Sequence, residues 1–455
     1  MTTKTVNIRE IALEALLEIL EKDALSHMVI SQVLKKYQYL DKQDRAFFTR
    51  LTEGTLERLI TLDYVLGQFS SVPVKRMKPV IRNILRMGAY QLLYMDSVPD
   101  SAACNEMVRL AERKRFRSLK GFVNGVLRNI ARNKEEALNP QKMSLSVRYS
   151  TPEWLVKQWV ECYGEEIAEK MLAASFEEKK LTVRCNLNRA SKEEIIRMLE
   201  KEQVTVEECD YPSYALCLSG FDYLENLTAF IEGYISVQDI SSMMVAEVAS
   251  PEKGSKVLDV CAAPGGKSLH LAEKLAGTGL VEARDLTDYK VSLIEENTLR
   301  AGLTNIRTKV WDATVADKSW EGQADVVLAD LPCSGLGVIG KKNDLKYKTT
   351  KEDCEGLAKL QRQILSTVSS YVRPGGVLLY STCTVNPAEN EENAAWLTEN
   401  LPFEAESIWE YLPENLKAGM TEQAKEEAKK GYMTFLQGVY PTDGFFLARL
   451  RRKME

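Results

Sequence analysis

The spacing of apolar positions changes character twice along the chain. Up to about residue 133 it is helical, with Ile8, Ala12, Ala15, Leu16 and Ile19 on one stripe and Phe47, Phe48, Leu51 and Leu59 on another. Pro79 suits the first position of a helix that carries Ile81, Ile84, Leu85 and Met87. Lys120 to Ala131 predicts a further helix that buries Phe122, Val123, Val126, Leu127 and Ile130 and presents Arg128 and Arg132. These stripes read as core rather than as a cofactor box. A polar stretch with a proline, Asn133 to Gln141, reads as a linker, followed by a connector from Ser146 to Phe176 with Trp154, Leu155, Trp159 and Tyr163 on its buried side. Leu181 to Asn186 then alternates as a strand does. Ser191 and Glu194 form a capping box for a helix, and Val204–Glu208 and Tyr214–Leu218 supply more strands, so a small α+β unit is expected.

From Lys256 the pattern becomes strand, turn, helix, repeated. Val257, Leu258 and Val260 form a short buried strand, Ala262-Ala263-Pro264-Gly265-Gly266 a tight turn, and Leu269, Leu271, Ala272 and Leu275 the apolar face of a helix opened by Lys267. Leu280–Asp285, Ile306–Val310, Asp325–Asp330 and Gly375–Cys383 read as four further strands. The fold class is therefore α/β, a doubly wound sheet with its ligand crevice at the carboxyl ends of the strands. Asn386 to Glu399 predicts a helix whose acidic start (Glu389, Glu391, Glu392) suits the helix dipole. Leu416–Lys430 reads as charged and peripheral, and Tyr440–Leu450 as a closing strand hairpin. Three domains follow: residues 1–140 all-helical, 141–235 a helical connector and small α+β subdomain, and 236–455 the doubly wound sheet.

Composition narrows the class. The 455 residues are 45% hydrophobic and 27% charged, ordinary for a globular protein. No apolar run is long enough for a membrane span, and the opening MTTKTVNIRE lacks the apolar core of a signal peptide. Nine cysteines without CxxC pairs point to a reducing compartment, and with His27 and His270 the only histidines no metal site is expected. The expected location is the cytoplasm. The net charge of −5 hides a segregation: Pro73 to Lys134 holds 14 Lys or Arg against 4 Asp or Glu, the footprint of a phosphate-binding surface.

Two thiols stand out. Cys333 follows the fourth strand of the sheet and Cys383 the fifth, and neighbouring strands would bring both to one pocket. Cys104, Cys162, Cys185, Cys209 and Cys217 lie in helical or accessory segments, where a structural role is the default. Asp285 ends the second strand, where a carboxylate can accept both hydroxyls of a ribose. Asp330 ends the fourth, beside Cys333.

Taken together, CAAPGGK (Cys261–Lys267), Asp285, Asp312, DLPCSGLG (Asp330–Gly337) and STCT (Ser381–Thr384) resemble the S-adenosylmethionine-dependent methyltransferases, and more narrowly the RNA cytosine-C5 methyltransferases of the Sun/Fmu family. The resemblance implies a Rossmann-like methyltransferase sheet, a small α+β RNA-binding subdomain, and an N-terminal NusB-like RNA-binding domain, the last on pattern that includes FVNGVLRNI. It implies S-adenosyl-L-methionine as cofactor, with Cys261, Ala262, Ala263, Pro264, Gly265, Gly266 and Lys267 around the methionine portion, Asp285 on the ribose and Asp312 on the adenine amino group. Asp330 and Lys267 would touch both base and cofactor. Cytosine C5 needs a thiolate on C6 before it can attack a methyl group. By resemblance Cys383 is that nucleophile and Cys333 assists release. DNA cytosine methyltransferases instead use the Pro-Cys motif, so the reversed assignment stays open. The implied partner is 16S ribosomal RNA, its target base single-stranded or flipped out, bound by a monomer without membrane or metal. Transfer RNA as substrate, or a non-catalytic RNA-binding assembly or antitermination factor, are the alternatives. The chain departs from the family at Glu177-Glu178-Lys179-Lys180, often a proline pair, and at Gly340 and Asn343, often a basic residue and a proline.

Overall fold

A computed structural model describes residues 6–177 and 180–454. Met1–Thr5 of the opening segment, and Glu178 and Lys179 of the departure at 177–180, lie outside the described residues. The chain divides into two compact units. The first comprises residues up to Phe176 together with Ile339–Lys348; the second comprises Glu177–Val338 and Thr349 onward.

In the first unit the helical stripes form helices α1 (Ile8–Glu21), α2 (Ser26–Lys36), α3 (Lys42–Glu57), α4 (Leu59–Phe69), α5 (Pro79–Tyr94), α6 (Asp100–Arg113) and α7 (Lys120–Arg132). Asn7 caps α1 by accepting from the Glu10 amide, and Pro79 is the first residue of α5, where its missing N–H costs nothing. Val123, Val126, Leu127 and Ile130 of α7 are buried while Arg128 and Arg132 stay exposed. The connector's helices Glu153–Tyr163 and Glu165–Ala174 fall in the first unit.

Ile339–Lys348 also belongs there, although it lies far along the sequence. Asp344, 2% exposed, accepts from the Ser26 amide (3.0 Å) and hydroxyl (2.5 Å). The buried Lys346 donates to the Glu57 carbonyl at 3.1 Å, and burial pushes its ammonium down to about 7. Tyr347 Oη donates to the Glu57 carbonyl at 3.0 Å and lies 2.9 Å from Ser150 Oγ. Where sequence marked only a departure at Gly340 and Asn343, the chain is a strap fixed by buried polar groups.

The second unit holds two sheets. Strands β1 (Leu181–Cys185), β2 (Thr205–Glu208), β3 (Ala215–Ser219) and β4 (Ile235–Val237) form a four-stranded antiparallel sheet in the order β2-β3-β1-β4. The capping box of Ser191 and Glu194 forms on helix Lys192–Lys201, which buries Ile195 and Leu199 against this sheet's apolar side. The eight-stranded sheet is built from β5 (Lys256–Asp259), β6 (Leu280–Asp285), β7 (Ile306–Val310), β8 (Ala324–Asp330), β9 (Val372–Thr382), β10 (Phe403–Ala405), β11 (Tyr432–Phe435) and β12 (Phe445–Arg452), in the order β10-β12-β9-β8-β5-β6-β7 with β11 on β12. Strands β5 to β9 pair in parallel and β12 is antiparallel to β9. Strand order reverses at β5, with β6 on one side and β8 on the other, which opens a crevice at their carboxyl ends. The closing hairpin is β11 with β12, and Tyr440-Pro441 lies in its connection because proline and glycine interrupt the ladder there. Leu416–Lys430 is not peripheral: Leu416, Ala424 and Ala428 enter the same core cluster as Val257, since their spacing gives a charged segment one apolar stripe.

One buried ion pair joins the four-stranded sheet to helix Gly266–Lys274, which follows β5. Arg184 on β1, 1% exposed, donates from Nε and Nη2 to both carboxylate oxygens of Glu273 (3.0 and 2.7 Å) and from Nη1 to the Gly266 carbonyl (3.1 Å). Breaking one side of such a pair strands a buried charge, so Arg184→Ala should cost about 3–5 kcal/mol and Arg184→Met with Glu273→Leu should recover most of it. Hydrogen exchange of the amides in β1 and helix Gly266–Lys274 reads both changes.

Candidate active site

The carboxyl ends of β5 and β6 carry the first group of expected site residues. After β5 the chain turns through Cys261–Gly265, and Gly265 sits at φ +105°, where a side chain is strained, before helix Gly266–Lys274 begins. The turn is held from outside: Ala262 N–H donates to the Arg284 carbonyl (2.7 Å), and the carbonyls of Pro264 and Gly266 accept from Asn297 (2.9 Å) and Arg184 (3.1 Å). Asp285 ends β6 with 4% exposure. Its oxygens accept from the Ala263 and Leu286 amides (3.0 and 2.7 Å), and Lys290 lies 3.0 Å away. Asp312, after β7, is exposed and folds onto its own loop, where the Thr314 hydroxyl and amide hold its carboxyl below the usual range. Cys261 is a poor thiolate, because burial first and the nearby charges of Asp259, Asp285 and Asp330 second push its thiol up. Beneath the turn Asp259 accepts from Ser268 Oγ at 2.5 Å through one oxygen, while its buried Oδ1 has no partner. Burial lifts its carboxyl to about 7. An orphaned acceptor, a strand-end carboxylate and a glycine-held helix start make a donor and acceptor set that fits a nucleoside with a charged tail.

The second group lies across the crevice at the ends of β8 and β9, which pair with Asp330 opposite Ser381. Asp330 Oδ2 accepts from Lys267 Nζ at 2.7 Å and Oδ1 from Ser381 Oγ at 2.7 Å. Burial pulls the Lys267 ammonium down, but the charge and hydrogen bond of Asp330 outweigh it, with Cys383 and Asp259 adding to the effect, so it stands above its usual value. Beyond the ion pair the Sγ atoms of Cys333 and Cys383 are 3.3 Å apart. The hydrogen bond to Cys383, then burial, hold the Cys333 thiol far above its ordinary value. The two thiol loops are laced together: Leu331 N–H donates to the Ser381 carbonyl (3.0 Å) and Gly337 N–H to the Cys383 carbonyl (3.1 Å). Gly337 also meets Gly444, whose carbonyl oxygen would lie 2.0 Å from a Cβ added at 337. Only glycine permits that approach.

Lys267, Asp330, Cys333 and Cys383 are thus one cluster, and Asp285 belongs to the cofactor-side turn through Ala263. Sequence reading missed what lies under the thiols. Glu391 and Glu392 form the expected acidic helix start, but Glu389 does not belong to it: Pro387–Glu389 is a 3-10 turn, the helix begins at Glu391, and the Glu389 side chain is fully buried among polar partners. The signal was Asn386-Pro387 with Asn390, residue types that stop or cap a helix rather than continue it.

Residues 246–451 match the family described as 16S rRNA methyltransferase RsmB/F, residues 6–132 the NusB family, and residues 151–222 the ferredoxin-like domain of RsmF/B-like methyltransferases. Over its whole length the chain is similar to a Bacillus subtilis protein named "Probable ribosomal RNA small subunit methyltransferase B", 38% identical over 99% of this chain and 100% of that one. The chain belongs to this family. The ribosomal RNA small subunit methyltransferase B of Proteus mirabilis is 30% identical over 98% of this chain and 99% of its own. Among solved structures PH0851 superposes with a TM-score of 0.80 at 26% identity over 98% of this chain and 99% of that one. NSun6 from Pyrococcus horikoshii with SFG shares the fold, with a TM-score of 0.57 at 23% identity over 67% of this chain and 98% of that one. The three-part organisation expected from the family, NusB-like helices, a small α+β domain and a Rossmann-like methyltransferase sheet, is what the fold shows.

The ion pair at the centre of the cluster makes one direct prediction. Removing the Asp330 charge leaves burial as the dominant influence on Lys267, so Asp330→Asn should lower its pKa and let it react with an amine-directed acylating reagent at lower pH. Peptide mapping of Lys267 labelling across pH 7–11 checks this, and an unmoved profile would separate the two groups.

Proposed function

We propose that this RsmB/F-family chain methylates C5 of a cytosine in 16S ribosomal RNA, with S-adenosyl-L-methionine as donor and a covalent cysteine–C6 adduct as intermediate. The observation that carries the reading is the pair of thiols 3.3 Å apart, at the ends of adjacent parallel strands, beside a carboxylate already paired with a lysine. A pure RNA-binding factor has no use for two thiols held in that way. The names of the relatives favour ribosomal over transfer RNA. The exposed Arg128 and Arg132 on α7, within the stretch of excess positive charge, supply a surface for the phosphate backbone.

The cofactor, when bound, supplies an electrophilic methyl group. Asp285 would hold its ribose, the Cys261–Gly266 backbone its methionine portion and Asp312 its adenine amino group. Cys383 is the thiol that adds to C6: the S–C6 bond forms, the C5=C6 bond opens and C5 becomes the nucleophile. Asp330 would accept from the base at N4 and face N3, and Lys267 would balance its charge as electron density moves into the ring. After methylation a base drawn from solvent takes the C5 proton, the C–H electron pair re-forms the C5=C6 bond, and the S–C6 pair returns to Cys383 as thiolate, with Cys333 assisting release.

Two experiments test the reading. Cys383→Ala should form no covalent RNA complex and transfer no methyl group. Cys333→Ala should still methylate, yet accumulate a protein–RNA adduct visible as a retarded band on a denaturing gel with cofactor present. An adduct in Cys383→Ala but not in Cys333→Ala reverses the roles. On the cofactor side, Asp285→Ala loses charge-assisted hydrogen bonds worth about 1.5–3 kcal/mol, so calorimetry should show S-adenosylmethionine binding weakened at least about tenfold.

A further inference from the structure

Glu389 lies outside every motif that carries the family likeness, yet both thiol loops meet on it. Its Oε1 accepts from Ser334 Oγ (2.6 Å) and Asn386 Nδ2 (2.9 Å), and its Oε2 from the Ser334 amide (2.9 Å) and Gln361 Nε2 (3.2 Å). The side chain has no exposure at all. Four donors around two oxygens satisfy a buried acidic side chain that would otherwise be costly. Because Ser334 gives its hydroxyl proton to Glu389, Ser334 Oγ must accept from its other neighbour, Thr384 Oγ1, at 2.8 Å. Ser334 follows Cys333 and Thr384 follows Cys383. The residue after each thiol is therefore tied to one relay that ends on one carboxylate, and Asn386 adds a second tie to the Cys383 loop.

We propose that Glu389 is a positioning residue that sets the separation of the two thiols. The inference rests on the two-thiol reading above. In Glu389→Gln an amide N–H₂ replaces one acceptor and faces a donor, so one loop must give way.

The thiols can report their own spacing in the full-length protein. Diamide oxidises a thiol pair as the S–S bond forms, both S–H bonds break, and two protons and two electrons pass to its N=N bond, giving a hydrazine. Cys209 and Cys217, whose Sγ atoms are 3.2 Å apart across the β2–β3 hairpin, provide an internal reference. Glu389→Gln should slow the Cys333–Cys383 cross-link at least about tenfold and leave Cys209–Cys217 unchanged, both read by peptide mass mapping. Methyl-transfer kcat should fall about 100-fold while KM for S-adenosylmethionine moves less than about twofold. Equal slowing of both cross-links, or of neither, overturns the proposal. Should Glu389→Gln not fold, Ser334→Ala deletes only the relay and is read in the same way; an unchanged ratio of the two rates overturns it. The cross-link needs neither RNA nor cofactor, so its outcome stands or falls separately from that of the cytosine methylation assay.

Discussion

Strands β8 and β9 run in parallel with Asp330 opposite Ser381, and that register decides where both thiols fall. Each strand ends within a few residues of its cysteine, so the shared hydrogen-bond ladder works as a ruler for two loops that are 50 positions apart in sequence. A slip of one residue would turn alternate side chains to the opposite face of the sheet and send Asp330 away from Lys267. The antiparallel β12 covers the outer side of β9, and Gly444 just before it approaches Gly337 closely enough to pin the Cys333 loop from a third direction.

Charge at the strand ends is arranged by burial. Lys267 is held above its usual value against burial chiefly by Asp330, Asp259 is lifted to about 7, and the thiols of Cys261 and Cys333 are pushed up. In a poorly screened site each group's protonation depends on its neighbours, and the two touching thiols titrate as a pair.

The sequence was most legible where one residue type is forced by local geometry. The apolar run of β5, the glycine turn after it, the cap at Ser191 and the strand-end carboxylates could all be read because each answers to its own few neighbours. The adjacency of β8 and β9 followed from repeated strand–helix units. What stayed hidden depends on partners far away. Arg184 on a half-polar strand gives no sign of Glu273, Glu389 reads as an ordinary acidic helix start, and Asp344, Lys346 and Tyr347 look like surface residues. Leu416–Lys430 was misjudged because its charges outnumber a stripe that is nonetheless apolar.

The strap has a consequence in time. Ribosomes release a chain from its amino end, and a domain ordinarily closes once its own residues have emerged. Here Ser26, Glu57 and Ser150 wait for Asp344, Lys346 and Tyr347, which come after the β5–β8 portion of the sheet. The helical unit is thus the first to begin folding but cannot finish until residue 348 is free, and the order of synthesis ties completion of one unit to the progress of the other.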